Sequence, residues 1–508
     1  MSKERVNPPT GDRSDIRHRE PYWFQHRAID RAYPPLRADH QTEVLVLGGG
    51  ITGLSVALEL LSRGKRVTVC DANTIGGGTT GRSSAHLDAH PEMGPGALVK
   101  QLGPELAATY TAMRLDAIER IEQRCGDACD FRRVPGYFYT ENEDRLDKIR
   151  RSIDDAKAIG LSVTWQDSVP IAKAVGGYRV EMMARVDIFA YLQHLASLVA
   201  EAGGTIFEQT LVPGIVESHP ASLKTSGGEI QFDQVVSAIH CNYTNSQRLY
   251  VQTPPYQSYV IAAKVRTPLP DALFWDDSDP YFYVRRATAD GGTILAGGKD
   301  HRTGAGDESV AMNELETWIR ERFDVEEVVS RWSAELFEPA DGLPFIGKVA
   351  GKENVWITTG LSGVGLTLGT AAGPMLADLM EGKAHPLEKT LSPARVPLRA
   401  AGNVLAEQAA SVADFAERLL PAKSVDVSAL ASGEGAVGNV DGKHTAVCRD
   451  RDGCLRQLSP ICTHMGGVLR WNEVEQTWDC PVHGGRFAAD GARLYGPPED
   501  DLDRIAGD

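Results

Sequence analysis

Glu43-Val-Leu-Val-Leu47 runs straight into Gly48-Gly49-Gly50-Ile51-Thr52-Gly53, and the reading of this stretch decides the fold. A short apolar run suits a buried strand. The glycines then turn it into a helical stretch, Leu54 to Arg63, apolar at Leu54, Ala57, Leu58 and Leu61. Arg66-Val-Thr-Val-Cys70 reads as a second strand and ends at Asp71, eighteen positions after Gly53. Strand, glycine loop, helix, strand and acidic residue together make a βαβ dinucleotide fingerprint, where a glycine motif alone would be weak. Gly48 permits the tight turn, Gly50 lets a pyrophosphate approach the backbone, and Gly53 lets the helix pack on the strand. The helix N-terminus, with Thr52 in its first turn, faces the phosphates. Asp71 is expected to accept a ribose hydroxyl. The bland alternative is a glycine turn with no ligand.

With 508 residues, 42% of them apolar, the chain exceeds what one core normally serves, so two to four domains are expected. Net charge is −16, from 53 basic and 69 acidic residues with no basic block, which argues against nucleic acid as a partner. Neither a signal-type apolar region nor a run of eighteen apolar residues is present, so no membrane span is expected. Eight scattered cysteines suit a reducing compartment, and the expected location is cytoplasmic.

Near the other end stands Cys462-Thr463-His464, then fifteen residues, then Cys480-Pro481-Val482-His483. Each pair joins one thiolate to one imidazole, which suits a [2Fe–2S] centre held by two cysteines and two histidines. Tetrahedral zinc takes the same four residues but usually pairs Cys with Cys and His with His. The flanks, Cys462–Gly467 and Trp478–Phe487, resemble Rieske proteins. In high-potential Rieske proteins each ligand loop carries an extra cysteine, and the two form a disulfide; Gly467 and Val482 stand there in this chain. Gly485 and Phe487 replace a serine and a tyrosine that donate to the cluster. The resemblance therefore implies a low potential, roughly −150 to 0 mV on the Rieske scale.

Between these ends, Gly76-Gly-Gly78-Thr79-Thr80-Gly-Arg82-Ser83-Ser84 gathers glycines and hydroxyls just after the acidic residue. Val355-Trp-Ile-Thr-Thr359 leads into a second glycine loop, Gly360-Leu-Ser-Gly363-Val364-Gly365-Leu366-Thr367, followed by a helix to about Met380. These segments resemble the flavin-binding turns of the glycine oxidase and D-amino-acid oxidase superfamily. Ala184–Asp187, the helix Ile188–Ala202, Gly203–Glu208 and Val212 resemble that superfamily's third βαβ element, in which the valine backbone contacts adenine. Pro21-Tyr22-Trp23, Tyr33–Leu36 and Gly297–Gly304 resemble bacterial flavin oxidoreductases that end in a Rieske domain. The implied cofactors are FAD and a Rieske [2Fe–2S] cluster. Relatives tether the flavin through a histidine where Arg82 stands here, or through a cysteine that has no counterpart near 341–365, so the FAD is expected to be non-covalent.

The expected fold class is α/β: a discontinuous Rossmann-like FAD-binding domain with an antiparallel substrate-binding sheet, plus a small all-β Rieske domain. An N-terminal arm occupies 1–40 and the flavin module 41–395. Within it the FAD-binding parts are about 41–100, 185–240 and 330–385, and the substrate part about 101–184 and 241–329. The substrate part has a helix over Leu98–Cys125 and strands at Pro254–Arg266, Pro280–Arg286 and Thr293–Lys299. A linker helix over 396–422 leads to the Rieske domain, 423–508.

For the substrate, the superfamily often places an arginine where Glu338 stands here, ahead of Asp341-Gly-Leu-Pro344, to clamp a carboxylate. Glu338 is expected to hold an amine or act as a base, or else to salt-bridge Arg285 or Arg286. His301 resembles a pocket histidine of sarcosine oxidases, whose oxygen-activating lysine falls on Gly297. His86 and His90 carry weaker expectations. The implied function is a dehydrogenase that oxidises a small amine or amino-acid-like substrate and sends electrons from FAD through the cluster to a protein or small-molecule acceptor. The alternative is an electron-transfer component fed by a ferredoxin-like donor and serving a separate oxygenase.

Overall fold

The computed structural model describes residues 20–26, 31–214, 221–241, 247–396, 402, 409 and 412–505. Six strands form the nucleotide-type sheet, in the order Phe345–Lys348, Val355–Thr359, Gln234–Ser237, Val44–Leu47, Val67–Cys70 and Thr205–Phe207. All of its pairs are parallel except Phe345–Lys348 with Val355–Thr359. Val44–Leu47 and Val67–Cys70 are buried at every position, as strands covered on both faces must be. The helices Ile51–Ser62 and Gly365–Met380 pack on each other closely. A Cβ at Gly369 would lie 2.4 Å from Thr52 Oγ1, and one at Gly373 would lie 2.9 Å from the Ser55 carbonyl.

A second sheet, of nine strands among the described residues, carries the substrate part. Pro255–Val265 lies between Val325–Phe337 and Thr293–Arg302, and Phe282–Arg286 and Leu273–Asp276 follow. The sheet is not wholly antiparallel: Leu273–Asp276 runs parallel to Arg132–Thr140. Three segments assigned above to nucleotide binding lie in this sheet. His86–Leu87 pairs with Gly176–Arg185, which places Ala184 and Arg185 here too, and Val325–Phe337 pairs with Pro255–Val265. The nucleotide part therefore resumes at the helix Ile188–Glu201, capped by the Asp187 carboxylate on Ala190 N (3.0 Å), and later at Phe345. The helix expected over Leu98–Cys125 is two helices, Pro95–Leu102 and Pro104–Cys125. Gly103 (φ 79°) turns the chain, and Pro104 opens the second helix.

Residues 397–401, 403–408, 410 and 411 of the expected linker helix fall outside the described residues; its last part ends in the tight turn Glu417–Leu419. The C-terminal domain has a three-stranded and a four-stranded antiparallel sheet, and the two cluster loops lead into and out of the latter. This domain docks on the flavin module through buried polar groups. Gln257 Nε2 donates to Asp479 Oδ2 (2.6 Å), Asn472 Nδ2 donates to Gln257 Oε1 (3.1 Å), and Arg486 holds Asp479 with two bonds of 3.0 Å. Gln257, Asp479, Asn472 and Arg486 are all buried, so water does not compete for these bonds. Arg82 adds an ion pair to buried Glu475 (3.3 Å).

Candidate functional site

A cavity of about 960 Å³ runs along the C-terminal ends of the nucleotide-sheet strands. Gly48, Gly50, Thr52, Asp71, Gly78, Thr79, Thr80, Arg82, Ser83, Ser84, Val212, Gly363, Val364, Gly365 and Leu366 all line it. Gly53 stands behind the loop, where a Cβ would come within 1.9 Å of the Gly48 carbonyl; only glycine lets the helix approach this strand. Gly50 caps the helix Ile51–Ser62 without a side-chain bond, and the Ile51 N–H of the first turn donates to Thr80 Oγ1 (3.3 Å). The Asp71 carboxylate accepts the Gly49 N–H (2.7 Å) and the Asn73 N–H (2.7 Å), and burial raises its pKa.

Three placements differ from expectation, and one is Glu338, which does not line the cavity although Ser362, its hydrogen-bond partner, does. Thr367 does not line the cavity: it is buried in the first turn of Gly365–Met380, bonded to the Val364 carbonyl and to Arg114 Nε. His301 also stands outside it, stacked on Tyr259 with ring centroids 5.5 Å apart, while its neighbour Asp300 lines the wall. Gln257 pairs with His301 and Tyr259 with Gly298, so Lys299 and Asp300 together oppose the single residue Ser258. Gly298 (φ 136°) and Lys299 (φ 61°) carry this bulge, which exchanges the faces that simple alternation predicts.

Glu338 is half-buried; its carboxyl hydrogen-bonds the Ser362 hydroxyl rather than an arginine. Arg285 donates to the carbonyls of Ser84, Val186 and Arg286, and Arg286 pairs with Asp271. Burial is the main cause that lifts the Glu338 pKa to about 7 and that of Asp300 to about 6. Glu92, not foreseen from the sequence, accepts the Gly363 N–H (3.1 Å) and the Tyr281 hydroxyl (3.2 Å). Burial, then the nearby Glu338, raise its pKa well above the usual range. His86 and His90 line the cavity and are held neutral, with burial lowering each pKa to about 3. Two tryptophans, also unforeseen, brace the loop around Arg82: Trp23 Nε1 donates to the Ser83 carbonyl and Trp332 Nε1 to the Arg82 carbonyl, both at 2.8 Å.

The two cluster loops repeat one turn. Cys462 N–H donates to the Gly467 carbonyl (2.9 Å) and Cys480 N–H to the Gly485 carbonyl (2.7 Å); Gly466 and Gly484 return to the cysteine carbonyls with φ of 82° and 71°. The two thiols hydrogen-bond each other, and the His464 and His483 rings lie 5.0 Å apart. The ligands thus stand as a sulfur pair and an imidazole pair, the division that two irons require. His464 Nδ1 is buried with no hydrogen-bond partner, as a metal-facing nitrogen must be. A Cβ at Gly467 would meet Val482 at 2.7 Å, so the place of the usual disulfide is filled by packing. Gly485 lies beside the Cys462 sulfur and offers it no hydroxyl donor.

Residues 43–379 match the family described as FAD dependent oxidoreductase. The chain belongs to the FAD-dependent oxidoreductases. Its residues 422–506 match the Rieske [2Fe-2S] domain, so this FAD-dependent oxidoreductase carries both cofactor modules. YhfW of Bacillus subtilis (strain 168), a protein named for a Rieske 2Fe-2S iron-sulfur centre, is 29% identical over 96% of this chain and 97% of its own. The gamma-glutamylputrescine oxidoreductase of Escherichia coli (strain K12) is 24% identical over 68% of this chain and 84% of its own. The crystal structure of glycine oxidase from Geobacillus kaustophilus superposes with a TM-score of 0.59 at 21% identity, over 70% of this chain and 99% of that one, and so shares the fold. Among the described residues, no helix of this oxidoreductase is long and apolar enough to cross a membrane.

Proposed function

We propose that this enzyme is a dehydrogenase that oxidises a small amine or amino-acid-like substrate and sends the electrons from FAD through its own Rieske cluster to an external acceptor. The observation that carries this reading is a shared wall: Arg493, Tyr495 and Gly496 of the Rieske domain line the same cavity as the dinucleotide loop. Tyr495 Oη lies 3.4 Å from Thr79 Oγ1, and a Cβ at Gly496 would lie 2.4 Å from the carbonyl of Gly484, the residue after the ligand His483. Bound there, FAD supplies two-electron acceptance and the cluster one-electron relay.

The protein's own groups prepare the site. Gly48, Gly50 and Thr80 would hold the phosphates of bound FAD and Asp71 and Val212 its adenosine, while Glu92, Ser362 and Glu338 stand near the glycine loop expected to hold the ring. Ser362 lines the cavity and Glu338 stands behind it; with its carboxyl titrating near 7, Glu338 receives a proton from an incoming ammonium group through the Ser362 hydroxyl at neutral pH. At Gly297 a Cβ would lie 2.3 Å from the Tyr283 ring, so the lysine expected of an oxygen-using relative has no room. That supports a dehydrogenase. Electron flow from a ferredoxin-like donor is the competing direction. Anaerobic addition of amines to the purified enzyme separates them: flavin bleaching followed by the reduced-cluster EPR signal supports the proposal. Bleaching by reduced ferredoxin or NADH alone refutes it.

A further inference from the structure

Resting on that reading, the identity of the substrate is written in the charge of the cavity wall. Near the glycine loop 360–366 stand three carboxyls from separate elements. Glu92, fixed by Gly363 N–H and Tyr281, and Asp300 line the wall, and Glu338 stands behind it, bonded to the lining residue Ser362. Asp300 Oδ1 is buried and has no hydrogen-bond partner. The guanidinium whose field reaches Glu92, that of Arg114, is already paired with Asp88 at 2.9 Å. Arg82 is turned to Glu475 and Ser333, and Arg493 to the carbonyls of Pro498 and Gly496. Lys148 and Arg151, which also line the cavity, are exposed on the helix Leu146–Ala158; Asp155 of the same helix and Asp279 of the loop before Pro280 line it too.

An α-amino acid needs a fixed cation for its carboxylate. At this end of the cavity it meets the opposite sign. A monoamine answers one carboxyl and leaves the others protonated, so it gains nothing from their charge. We propose that the pocket recognises an aliphatic diamine, with one amine at the reacting end beside Glu338 and a second, cationic amine held by Asp300 and Glu92. The pKa directions agree with this geometry. Without a cation, burial keeps all three carboxyls above their ordinary range, and a dication entering the site favours their ionised forms.

The test uses the holoenzyme under anaerobic conditions with 1,3-diaminopropane, 1,4-diaminobutane, 1,5-diaminopentane, n-butylamine, glycine and L-proline. At least one diamine should bleach the flavin with kcat/KM about tenfold or more above n-butylamine and above both amino acids. That diamine should also raise the melting temperature of the oxidised protein more than n-butylamine does. Asp300→Asn should cut the diamine-to-monoamine ratio of kcat/KM about tenfold, and Asp300→Glu should restore part of it. An amino acid or n-butylamine matching every diamine, with the cluster reduced in turn, overturns the diamine proposal and leaves the dehydrogenase reading intact. Bleaching by ferredoxin or NADH but by no amine overturns both. An unchanged ratio in Asp300→Asn removes the role given to Asp300.

Discussion

Replacing Gln257 with methionine removes one buried part of the flavin module's grip on the Rieske domain while nearly conserving side-chain volume. Gln257 is fully buried, and its amide donates to Asp479 Oδ2 at 2.6 Å and accepts from Asn472 Nδ2 at 3.1 Å and the Tyr259 hydroxyl at 3.3 Å. The bond to the carboxylate is charge-assisted and contributes about 1.5–3 kcal/mol; each neutral bond contributes about 1 kcal/mol or less. Asp479 keeps Arg486, Asn472 and Thr477, so its charge stays satisfied and the total falls toward the lower end. The expected loss for Gln257→Met is about 2–3 kcal/mol. With a urea dependence of about 2 kcal/mol per molar, the midpoint drops by roughly 1–1.5 M. Visible circular dichroism of the cluster and fluorescence of released flavin, followed in one anaerobic urea titration, should move down together. A midpoint shift under about 0.3 M refutes the argument. So does early cluster loss with flavin release unmoved, because the interface would then not couple the modules.

Gly53→Ala places a Cβ 1.9 Å from the Gly48 carbonyl, so the helix must leave the loop; the variant should purify without yellow colour, and stoichiometric FAD would contradict the fingerprint reading. Acid denaturation of the wild type should release the flavin into the supernatant, since Arg82 stands where relatives carry a tethering histidine. Because Asp300 and Glu338 titrate near 6 and 7, kcat/KM for an amine should rise from pH 5 to pH 8, and Asp300→Asn should flatten the part near 6; a fall across that range refutes it. The same raised values favour the protonated fold: their contribution to apoprotein stability is full below about pH 4 and lost as pH rises through 6 to 7. Asp300→Asn should therefore melt higher than wild type at pH 8. Film voltammetry should place the cluster at roughly −150 to 0 mV.

Both cofactor sites were legible in the chain because short-range geometry dictates them. A pyrophosphate loop needs glycine at fixed spacing, and a cluster needs four ligands on two turns. Of the proposed substrate end only Glu338 was legible, for two physical reasons. Glu92, Asp300 and Glu338 meet only through tertiary structure, and nothing local marks Glu92 as special. The bulge at Gly298–Lys299 then reversed the faces of the strand, so the residue that reached the wall was Asp300 and not His301. Sheet boundaries are hidden for a related reason: only strand pairing shows that Arg185 and residues 330–337 continue Gly176–Arg185 and Val325–Phe337 of the second sheet. The docking of the two modules rests on Gln257, Asn472 and Asp479, polar residues that a sequence reading assigns to the surface by default.

Single-turnover stopped-flow mixing of oxidised holoenzyme with an amine that reduces its flavin, combined with freeze-quench EPR, tests the central claim most directly. The account predicts that cluster reduction follows flavin reduction in a first-order step whose rate does not change over a tenfold range of enzyme concentration. A rate that scales with enzyme concentration, or a cluster that stays oxidised beside a fully reduced flavin, would contradict it.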